Sequence, residues 1–598
     1  MLPEKLTEIE LKGCEYIASF IQEQDIDIIF GLTGGYIHHT IDAICEKSKI
    51  NFITVHHEQA ASFAADGYSR ISGKPGICMG LSGPGGINML AGIAHAYYDS
   101  YPIICITGQV NLNEMVGERK IRQHGFQECD IVSIMKSVTK NSHLVRDGSE
   151  LAKILHESFQ IALNDRKGPC LIDIPLNIQC STYKYCIPKF IAPVYQEMSE
   201  ILRIQIRKLL YDISHSKKPM FLLGGGINSS NTSKLVRELV NIIEVPCVHS
   251  LLACDIIPYS HPSYLGMIGT YGLRVANNML MESDTLVVLG SRLDLRQTGS
   301  ETKSFENRNI YQIDIDKEEV NFRIKGVNHV HIDLYSFLKE AITQAKTNKT
   351  KCDCVEWFKI INENKRKYPH IMELTDLGYN NINPNLFMDK LSVYSQKYKT
   401  HYTTGIGNVQ MWAAQSIKLV ENQRLLIPGG LSSMGSGLPM AIGACLALKN
   451  TIPYVVVEGD GGIQLNIQEL QTIVRNNLPI KIVIMNNSSL GMLRQFCLQN
   501  FNSRFNQIQP GFGYDNPDFL EIAKAYKINS YRVETTDDIE NALYNMWLDP
   551  MEPYILDVKI PIETYVAPKV PYGNSLNDMI PVIQGEYPIA KKEFIILK

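Results

Sequence analysis

Two short apolar runs, each followed by polar residues, constrain the fold of this chain more than any other feature. Tyr454–Val457 precedes Gly459-Asp460-Gly461, and Ile480–Met485 precedes Asn486-Asn487. Between the runs, apolar residues at helical spacing predict one helix that begins at Gly461 and ends before Leu478-Pro479. A strand–helix–strand unit with a right-handed crossover can place its two strands side by side. We therefore expect Asp460 and Asn487 at neighbouring carboxyl ends of strands, where open α/β sheets bind ligands.

The chemistry of these residues predicts a site for a metal ion and a diphosphate. The Asp460 carboxylate, the Asn487 amide oxygen and a main-chain oxygen at Ser489 are hard ligands that suit Mg²⁺, which takes its remaining ligands from phosphate and water. Gly461 lets the backbone approach the phosphate closely, and a helix that begins there directs free N–H groups at the anion. An ordinary turn with glycines for tightness is the alternative. The spacing and the flanking strands favour the diphosphate–metal site.

Length and composition indicate a large globular protein. A chain of 598 residues predicts three or four domains at about 150 residues each. Hydrophobic residues make up 45% and charged residues 20%, so a packed core is expected. A formal net charge of −4 gives no reason to expect nucleic acid or an anionic membrane as a partner. No apolar stretch is long enough to cross a bilayer, and the 14 cysteines are scattered, which together favour a cytoplasmic protein with reduced thiols.

The order of short apolar runs and helical segments predicts the fold class. Their alternation is typical of an α/β chain with doubly wound parallel sheets covered by helices. We expect three such domains, at residues 1–188, 191–346 and 381–567, with a polar linker at 347–353 and a tail at 568–598. Strands are predicted at 27–32, 52–55, 77–81, 103–108, 171–174, 221–223, 285–289 and 310–315, and helices at 59–70 and 86–98.

Several runs along the chain carry a family resemblance. Glu58 alone would be a first-turn helix residue favoured by the helix dipole. However, Glu58-Gln59-Ala60-Ala61 and Ser82-Gly83-Pro84-Gly85-Gly86-Ile87-Asn88 resemble the pyrimidine-binding domain of thiamine diphosphate (ThDP) enzymes, most closely that of acetohydroxyacid synthase (acetolactate synthase). Further matching runs are Thr107-Gly108-Gln109, Phe126-Gln127-Glu128, Gln410–Gln415, Gly429–Gly435, Leu490–Gln495 and Val566–Pro571. The resemblance covers nearly the whole chain, and it implies pyrimidine-binding, central and diphosphate-binding domains in that order.

The resemblance also implies roles for individual residues. Glu58 hydrogen-bonds a ring nitrogen of the cofactor's aminopyrimidine and exchanges a proton with it. Met434 wedges between the two cofactor rings, and the Ser432 main-chain carbonyl accepts a hydrogen bond from the amino group. Further implied residues are Phe126 and Gln127 near the substrate, Arg296 on the acceptor carboxylate, Met492 in the substrate pocket, and Pro84, Asn88, Gly407, Asn408, Gly459, Gly461 and Gly462 around the cofactor, with Mg²⁺ on Asp460, Asn487 and Ser489.

Glycine-rich strand ends in the second segment suit a dinucleotide. Gly224-Gly225-Gly226 follows one predicted strand, and Gly290–Arg296 follows another. Three glycines in a row are also a common turn, so composition leaves both interpretations open. The resemblance implies FAD in this domain, on Gly225, Gly226, Arg292 and Asp314.

The departures from the family's pattern concentrate on the acceptor side. They are Tyr36, His39, Leu176, Leu295 and Phe496, and on the phosphate side Asn408 and Val409 replace the family's Gln and His. Tyr36 and His39 replace a small residue and a proline, and Phe496 replaces a Trp linked to preference for a larger 2-ketoacid. The donor half of the machinery is thus intact, while the acceptor half is altered.

The predicted function is therefore a carboligase that decarboxylates pyruvate and transfers the two-carbon unit to a second carbonyl. A second pyruvate would give 2-acetolactate. The alternatives are the same donor with another acceptor, such as a keto-sugar nucleotide, and a plain 2-ketoacid decarboxylase or oxidase. A cofactor-free partner subunit is disfavoured, since Glu58, Met434, Asp460 and Asn487 occur together. The resemblance implies a homodimer or homotetramer with active sites at the subunit interface.

Overall fold

The computed structural model describes residues 8–187, 190–375, 377–584 and 591–593. Pro188, the predicted end of the first domain, and most of the tail beyond residue 584 lie outside the described residues. The chain forms two compact units. The first comprises 8–194, 428–451 and 465–480, and the second comprises 195–427, 452–464 and 481–593, within the described ranges.

The first unit is built on a parallel sheet. The strands of this unit are β1 (Glu8–Lys12), β2 (Ile28–Gly31), β3 (Asn51–Thr54), β4 (Gly76–Leu81), β5 (Ile103–Gln109), β6 (Asn141–Leu144), β7 (Cys170–Pro175) and β8 (Thr182–Cys186). The first and the last of them, β1 and β8, form a separate antiparallel pair. The six-stranded sheet has the order β3-β2-β4-β5-β7-β6, and its pairs are parallel. All five strands predicted for this segment coincide with observed strands. Their residues are mostly buried, as expected of a sheet with both faces covered.

A second parallel sheet follows in the chain. Its strands are β9 (Pro219–Leu223), β10 (Cys247–His249), β11 (Tyr264–Met267), β12 (Thr285–Leu289), β13 (Asn309–Asp314) and β14 (Asn328–His331). The order is β11-β10-β9-β12-β13-β14, all parallel. The three strands predicted for this segment are confirmed.

A third parallel sheet carries the two apolar runs that introduced the chain. Its strands are β15 (His401–Thr404), β16 (Leu425–Leu426), β17 (Tyr454–Gly459), β18 (Ile480–Asn486), β19 (Asn529–Val533) and β20 (Tyr554–Lys559), and a short hairpin of β21 (Val582–Gln584) and β22 (Lys591–Glu593) follows. The order is β16-β15-β17-β18-β20-β19. The strands β17 and β18 are therefore neighbours, as predicted. Three parallel, helix-covered sheets confirm the predicted fold class.

Helices connect the strands throughout the described chain. They are α1 (Gly13–Glu23), α2 (His38–Lys47), α3 (Glu58–Ser72), α4 (Pro84–Asp99), α5 (Ile131–Met135), α6 (Leu151–Leu163), α7 (Leu176–Cys180), α8 (Glu200–His215), α9 (Gly226–Ser229), α10 (Ser233–Ile243), α11 (Arg274–Glu282), α12 (Leu295–Thr298), α13 (Leu334–Thr347), α14 (Val355–Lys367), α15 (His370–Thr375), α16 (Pro384–Ser395), α17 (Asn408–Ser416), α18 (Gly437–Ala447), α19 (Asp460–Ile463), α20 (Leu470–Arg475), α21 (Gly491–Asn500), α22 (Phe519–Ala525) and α23 (Asp538–Met546). Short 3₁₀ turns lie at Leu112–Glu114, Lys136–Val138, Gly148–Glu150, Leu251–Ala253, Lys303–Phe305, Gln396–Tyr398 and Gln464–Glu469. Both helices predicted for the first segment, at 59–70 and 86–98, are confirmed by α3 and α4.

The predicted single helix between β17 and β18 is wrong. The structure has α19, a 3₁₀ segment and α20 there, and Asn466 interrupts them with φ −136° and ψ 29°. Asn466 is buried and donates hydrogen bonds to Gly435 O (2.8 Å) and Gln59 Oε1 (3.2 Å). These bonds to distant parts of the chain replace the helical geometry that periodicity alone predicts.

The segment predicted as a linker, 347–353, is packed against the second sheet. Cys352 is buried in the same apolar core as the strands of that sheet, and its thiol donates to Ile213 O at 3.1 Å. The following helix α14 adds Trp357 to the core, with its indole N–H donating to Pro219 O at 3.1 Å. The apolar core around the second sheet therefore includes residues beyond 346.

Candidate functional site

Glu58 begins α3 in the first unit, directly after the loop that follows β3. The His57 ring caps the helix by accepting a hydrogen bond from Gln59 N at 3.2 Å. The Glu58 side chain is buried, and its Oε2 accepts from Asn88 Nδ2 at 2.9 Å. Glu58 and Asn88, both predicted at the cofactor, thus lie in direct contact.

Small residues leave room beside the other oxygen of Glu58. A Cβ on Gly85 would lie 3.3 Å from Glu58 Oε1, and one on Gly80 would lie 3.5 Å from Glu58 Cγ. Gly83 has φ +68° and precedes Pro84, which occupies the first turn of α4. A larger side chain at residue 85 would crowd the carboxylate, so glycine at this position avoids a close contact with Oε1.

Phe126 and Gln127 lie on the loop after β5. The Gln127 carbonyl oxygen lies 2.6 Å from the position of a Cβ on Gly83, and Gln127 itself has φ +63°. Phe126 is 76% exposed. Gln127 therefore touches the turn that begins α4 through its backbone, whereas the Phe126 ring faces outward within its unit.

The loop at 429–435, which carries Ser432 and Met434, is held to the first unit by Asp99. Asp99 Oδ2 accepts from Gly429 N at 3.0 Å, and Oδ1 accepts from Gly430 N at 2.6 Å. Ser432 has φ +54°, and its hydroxyl donates to Gly429 O at 2.6 Å. Met434 is 40% exposed, which leaves its thioether accessible.

A buried charge cluster fixes Asp99. Arg70 Nη2 donates to Asp99 Oδ2 at 2.7 Å, and Arg70 Nε donates to Asp66 Oδ2 at 2.9 Å. The His95 ring lies between the two carboxylates, at 3.4–3.6 Å. Burial raises the pKa of Asp99, but the charge of Arg70, the neighbouring His95 ring and the hydrogen bonds from Gly430 N and Arg70 together outweigh burial and hold that pKa below its ordinary value. Asp99 is therefore ionised and stays a double acceptor for the loop. Sequence analysis did not identify this cluster.

Asn466 links the two parts of the first unit that carry predicted cofactor residues. Its amide donates to Gln59, the neighbour of Glu58, and to the carbonyl of Gly435, the neighbour of Met434. Glu469 adds a second link, because its Oε1 accepts from His56 N at 2.9 Å. No periodicity or spacing pointed to Asn466.

In the second unit, the three predicted metal ligands meet at the ends of β17 and β18. Ser489 N donates to Asp460 Oδ2 at 3.2 Å and to Asn487 Oδ1 at 3.1 Å. All three residues are buried. Burial raises the pKa of Asp460, and hydrogen bonds from Asn516, Gly461 and Ser489 offset part of this rise, so that its pKa is about 6. One carboxylate with amide and main-chain oxygens is a donor set that fits Mg²⁺.

Asn516 completes this cluster and was missed from the sequence. Its Nδ2 donates to Asp460 Oδ2 at 2.7 Å, and its Oδ1 accepts from Tyr514 at 2.9 Å. The pair Asn516-Pro517 is a turn signal, but nothing in the sequence connects it with Asp460.

Asn408, at the start of α17, has an unsatisfied buried amide. It is 6% exposed, and among the described residues neither its Oδ1 nor its Nδ2 has a hydrogen-bond partner. Gly407 before it has φ +98° and open space where a Cβ would lie. A Cβ on Gly491 would lie 2.6 Å from Asn487 Nδ2 and 2.7 Å from Asn408 Nδ2. A buried amide left unpaired costs about 1–3 kcal/mol, so this small-residue cradle fits a diphosphate that would accept from it.

The other two predicted glycines of this motif differ in their surroundings. A Cβ on Gly462 would lie 2.6 Å from Glu458 Oε2, so Gly462 is needed for packing against a buried side chain. Gly459 has only Val409 Cγ1 near its Cβ position, at 4.0 Å. Gly459 therefore keeps an open backbone edge at the end of β17, whereas Gly462 serves the interior.

The glycines of the second sheet are explained by the chain itself. A Cβ on Gly224 would collide with Gly290 O, and Cβ atoms on Gly225 and Gly226 would lie 2.9 Å from Leu252 Cβ and Gly290 Cα. Close approach of two strand ends thus requires these glycines. They give no independent sign of a dinucleotide.

The other two residues predicted for FAD have contacts within the chain. Arg292 Nε lies 3.4 Å from Asp294 Oδ2, and Asp314 Oδ1 accepts from Asp316 N at 3.0 Å. The structure thus supplies no buried, unpartnered donor at the positions predicted for a flavin.

Arg296 and Met492 both lie in the second unit, near Tyr271. Arg296 is exposed at the start of α12. Burial raises the pKa of Tyr271, and the nearby charge of Arg296 offsets part of this rise. The Tyr271 hydroxyl donates to Met492 Sδ at 3.5 Å. Tyr271 was not among the predicted site residues.

No helix in the described part of the chain has the length and apolar character needed to span a bilayer. Likewise, the described residues contain no group of three or more His, Cys, Asp or Glu side chains suited to a metal ion. The Asp460 site differs from such groups because amides and the main chain supply most of its oxygens.

Comparison with known proteins shows which family the chain belongs to. Three family models match: the thiamine pyrophosphate enzyme N-terminal TPP binding domain at residues 11–134, the central domain at 206–344 and the C-terminal TPP binding domain at 405–558. The acetolactate synthase large subunit of Lactococcus lactis subsp. lactis (strain IL1403) is 34% identical over 570 residues, which cover 95% of this chain and 96% of the relative.

Other relatives match to the same extent. The acetolactate synthase isozyme 1 large subunit of Escherichia coli (strain K12) is 33% identical, over 96% of this chain and 98% of the relative. The chloroplastic acetolactate synthase 3 of Brassica napus is 34% identical, over 95% of this chain and 86% of the relative. With these full-length matches and three matching domain models, the chain belongs to the acetolactate synthase family of thiamine diphosphate-dependent enzymes.

Proposed function

We propose that this protein is a ThDP- and Mg²⁺-dependent carboligase that decarboxylates pyruvate and transfers the two-carbon unit to a second carbonyl compound. With a second pyruvate as the acceptor, the product is 2-acetolactate. The observation that carries the proposal is the cluster of Asp460, Asn487 and Ser489 beside the unpartnered buried amide of Asn408. This combination offers oxygen ligands to a cation and hydrogen-bond donors to the diphosphate that the cation neutralises.

When bound, thiamine diphosphate supplies a carbon nucleophile and holds the electron pair released as CO₂ departs. Asp460 and Asn487 would bind Mg²⁺ through their side-chain oxygens, and Ser489 through its main-chain carbonyl. Gly407, Asn408, Gly459, Gly461 and Gly462 would surround the diphosphate. Asp460 must be ionised to bind the cation, and its raised pKa of about 6 leaves it ionised at neutral pH.

Glu58 would exchange a proton with the aminopyrimidine through Oε1, the oxygen that faces Gly85. Asn88 holds the other oxygen and so fixes the orientation of the carboxylate. Pro84 shapes the turn, the Ser432 carbonyl would accept a hydrogen bond from the cofactor's amino group, and the Met434 thioether would contact the cofactor's rings. Phe126, Gln127 and Met492 would border the substrate. Arg296 would bind the acceptor's carboxylate, because its planar guanidinium group matches the geometry of a carboxylate.

Three further features belong to the proposal. The domains are proposed at 1–188, 191–346 and 381–567, and the protein acts as a homodimer or homotetramer with active sites at the subunit interface.

FAD on Gly225, Gly226, Arg292 and Asp314 rests on the family resemblance alone. No role in the carbon chemistry is assigned to it. Absorbance of the purified protein near the flavin bands, before and after denaturation, tests for it directly.

The proposed function is tested with carboxyl-labelled pyruvate, ThDP and Mg²⁺. We expect release of labelled CO₂ and formation of 2-acetolactate, with one CO₂ for every two pyruvates consumed. Acetaldehyde as the main product would identify a decarboxylase instead. Absence of CO₂ release from protein shown by calorimetry to bind ThDP would overturn the proposed donor chemistry.

A further inference from the structure

Three backbone segments of the second unit run side by side next to Arg296. Thr270 N donates to Arg296 O at 2.9 Å, and Val570 N donates to Thr270 O at 2.8 Å. Gly269 permits this approach, because a Cβ there would collide with Arg296 O. The side chains of Arg296, Tyr271 and Lys569 therefore start from adjacent, hydrogen-bonded segments.

Tyr271 is held in place but has a weak hydrogen-bond partner. Gln415 Nε2 donates to the Tyr271 carbonyl at 3.1 Å and to Ala567 O at 3.3 Å, which ties two of the segments together. The Tyr271 hydroxyl donates to the thioether of Met492 at 3.5 Å. A thioether sulfur is a weak acceptor, so an oxygen brought close to this phenol would be a better partner than the one it has.

Lys569 adds a half-buried cation to the same place. Its Nζ lies 5.7 Å from the centre of the Tyr271 ring and donates to Gln499 Oε1 at 2.6 Å. Gln499 is a neutral acceptor, so this hydrogen bond leaves the Lys569 charge uncompensated. Tyr271 thus has the Met492 thioether at its hydroxyl, the Lys569 ammonium group beside its ring and the charge of Arg296 nearby.

We infer that Tyr271 and Lys569 recognise a hydroxyl group next to the carbonyl of the acceptor substrate, while Arg296 binds its anionic group. The inference rests on the proposed function and names the acceptor class for it: a hydroxylated, negatively charged carbonyl compound. An alkyl chain at the same place would leave the phenol with only the weak thioether acceptor and would offer the ammonium group no acceptor beyond Gln499. Sites that hydrogen-bond a substrate hydroxyl discriminate strongly against analogues that lack it, because buried polar groups are then left unpaired.

Two acceptors of the same size test the inference. Hydroxypyruvate and 2-ketobutyrate differ only by a hydroxyl in place of a methyl group. The donor is pyruvate labelled in the two carbons that are transferred. Each acceptor is then quantified by the labelled product that it forms. We expect hydroxypyruvate to be used at least about tenfold better than 2-ketobutyrate, since hydroxyl-reading sites discriminate by more than apolar pockets do.

Variants locate the origin of the preference. Tyr271→Phe should raise the KM for hydroxypyruvate and lower the preference at least about tenfold, and Lys569→Gln should lower it in the same direction. Tyr544→Phe, at an exposed tyrosine of α23, is the matched control and should keep the preference.

The outcomes separate the inference from the proposed function. If labelled CO₂ is released but 2-ketobutyrate is used as well as hydroxypyruvate, the inference is wrong and the donor chemistry stands. An unchanged preference in both Tyr271→Phe and Lys569→Gln has the same meaning. If no CO₂ is released from pyruvate with either acceptor, the proposed function itself fails.

Discussion

Glu58 and Asp460 are both buried carboxylates at helix starts after parallel strands, yet the chain treats them differently. Asp460 accepts hydrogen bonds from Gly461 N, Ser489 N and Asn516 Nδ2, so both of its oxygens are engaged. Glu58 accepts from Asn88 through one oxygen, and glycine leaves room beside the other. A carboxylate that binds a cation needs a fixed position, whereas one that exchanges a proton needs an accessible oxygen. This difference supports the proposed roles, in which Asp460 binds the cation and Glu58 exchanges the proton.

The largest expected effect tests the fixed carboxylate. Asp460→Ala removes the only formal negative charge among the proposed ligands, so Mg²⁺ and the diphosphate are poorly neutralised. We expect no measurable ThDP binding in titration calorimetry with Mg²⁺. Asp515→Ala, at an exposed carboxylate of the neighbouring loop, is the control and should bind normally. Near-normal affinity in Asp460→Ala would mean that the metal binds elsewhere.

The accessible carboxylate predicts an effect on proton exchange rather than on binding. Glu58→Gln keeps the side-chain shape and should retain ThDP, but exchange of the proton at thiazolium C2 should slow by about 10²–10⁴-fold, the range for a positioned acid–base group. Deuterium exchange followed by NMR after acid quench measures this rate. Glu46→Gln, at an exposed position on α2, should exchange at the normal rate. Normal exchange in Glu58→Gln would remove Glu58 from the mechanism.

The smallest predicted effect concerns the support of the loop that carries Met434. Asp99→Asn keeps the size of the side chain but cannot accept from both Gly429 N and Gly430 N while facing Arg70. The free energy of unfolding should fall by about 1.5–3 kcal/mol, the range for hydrogen bonds to charged groups, with weaker ThDP binding. Denaturant unfolding and calorimetry measure the two quantities, with Asp42→Asn on the surface of α2 as the control. Unchanged stability and affinity would show that Asp99 does not position the loop.

Much of the fold could be predicted because its signals are local. Buried strands such as Thr285–Leu289 are continuous apolar runs, and the strand ends at Asp460 and Asn487 follow from the run lengths alone. The break at Asn466 could not be predicted, since its cause is a pair of hydrogen bonds to residues far away in the chain. The same holds for residues 347–353, whose polar composition conceals the buried Cys352.

The sequence by itself determined the three parallel sheets, the family, and the proximity of Asp460 and Asn487 at neighbouring strand ends. Each of these rests on periodicity or on short runs of neighbouring residues. Only the tertiary structure decided which donors hold each carboxylate, that Asn516 joins Asp460, that Asp99 supports the Met434 loop, and that Tyr271 lies against Met492. The physical reason is that hydrogen bonds and charges act over a few ångströms in space. Residues that are distant in the sequence come within that range only when the sheets and helices pack.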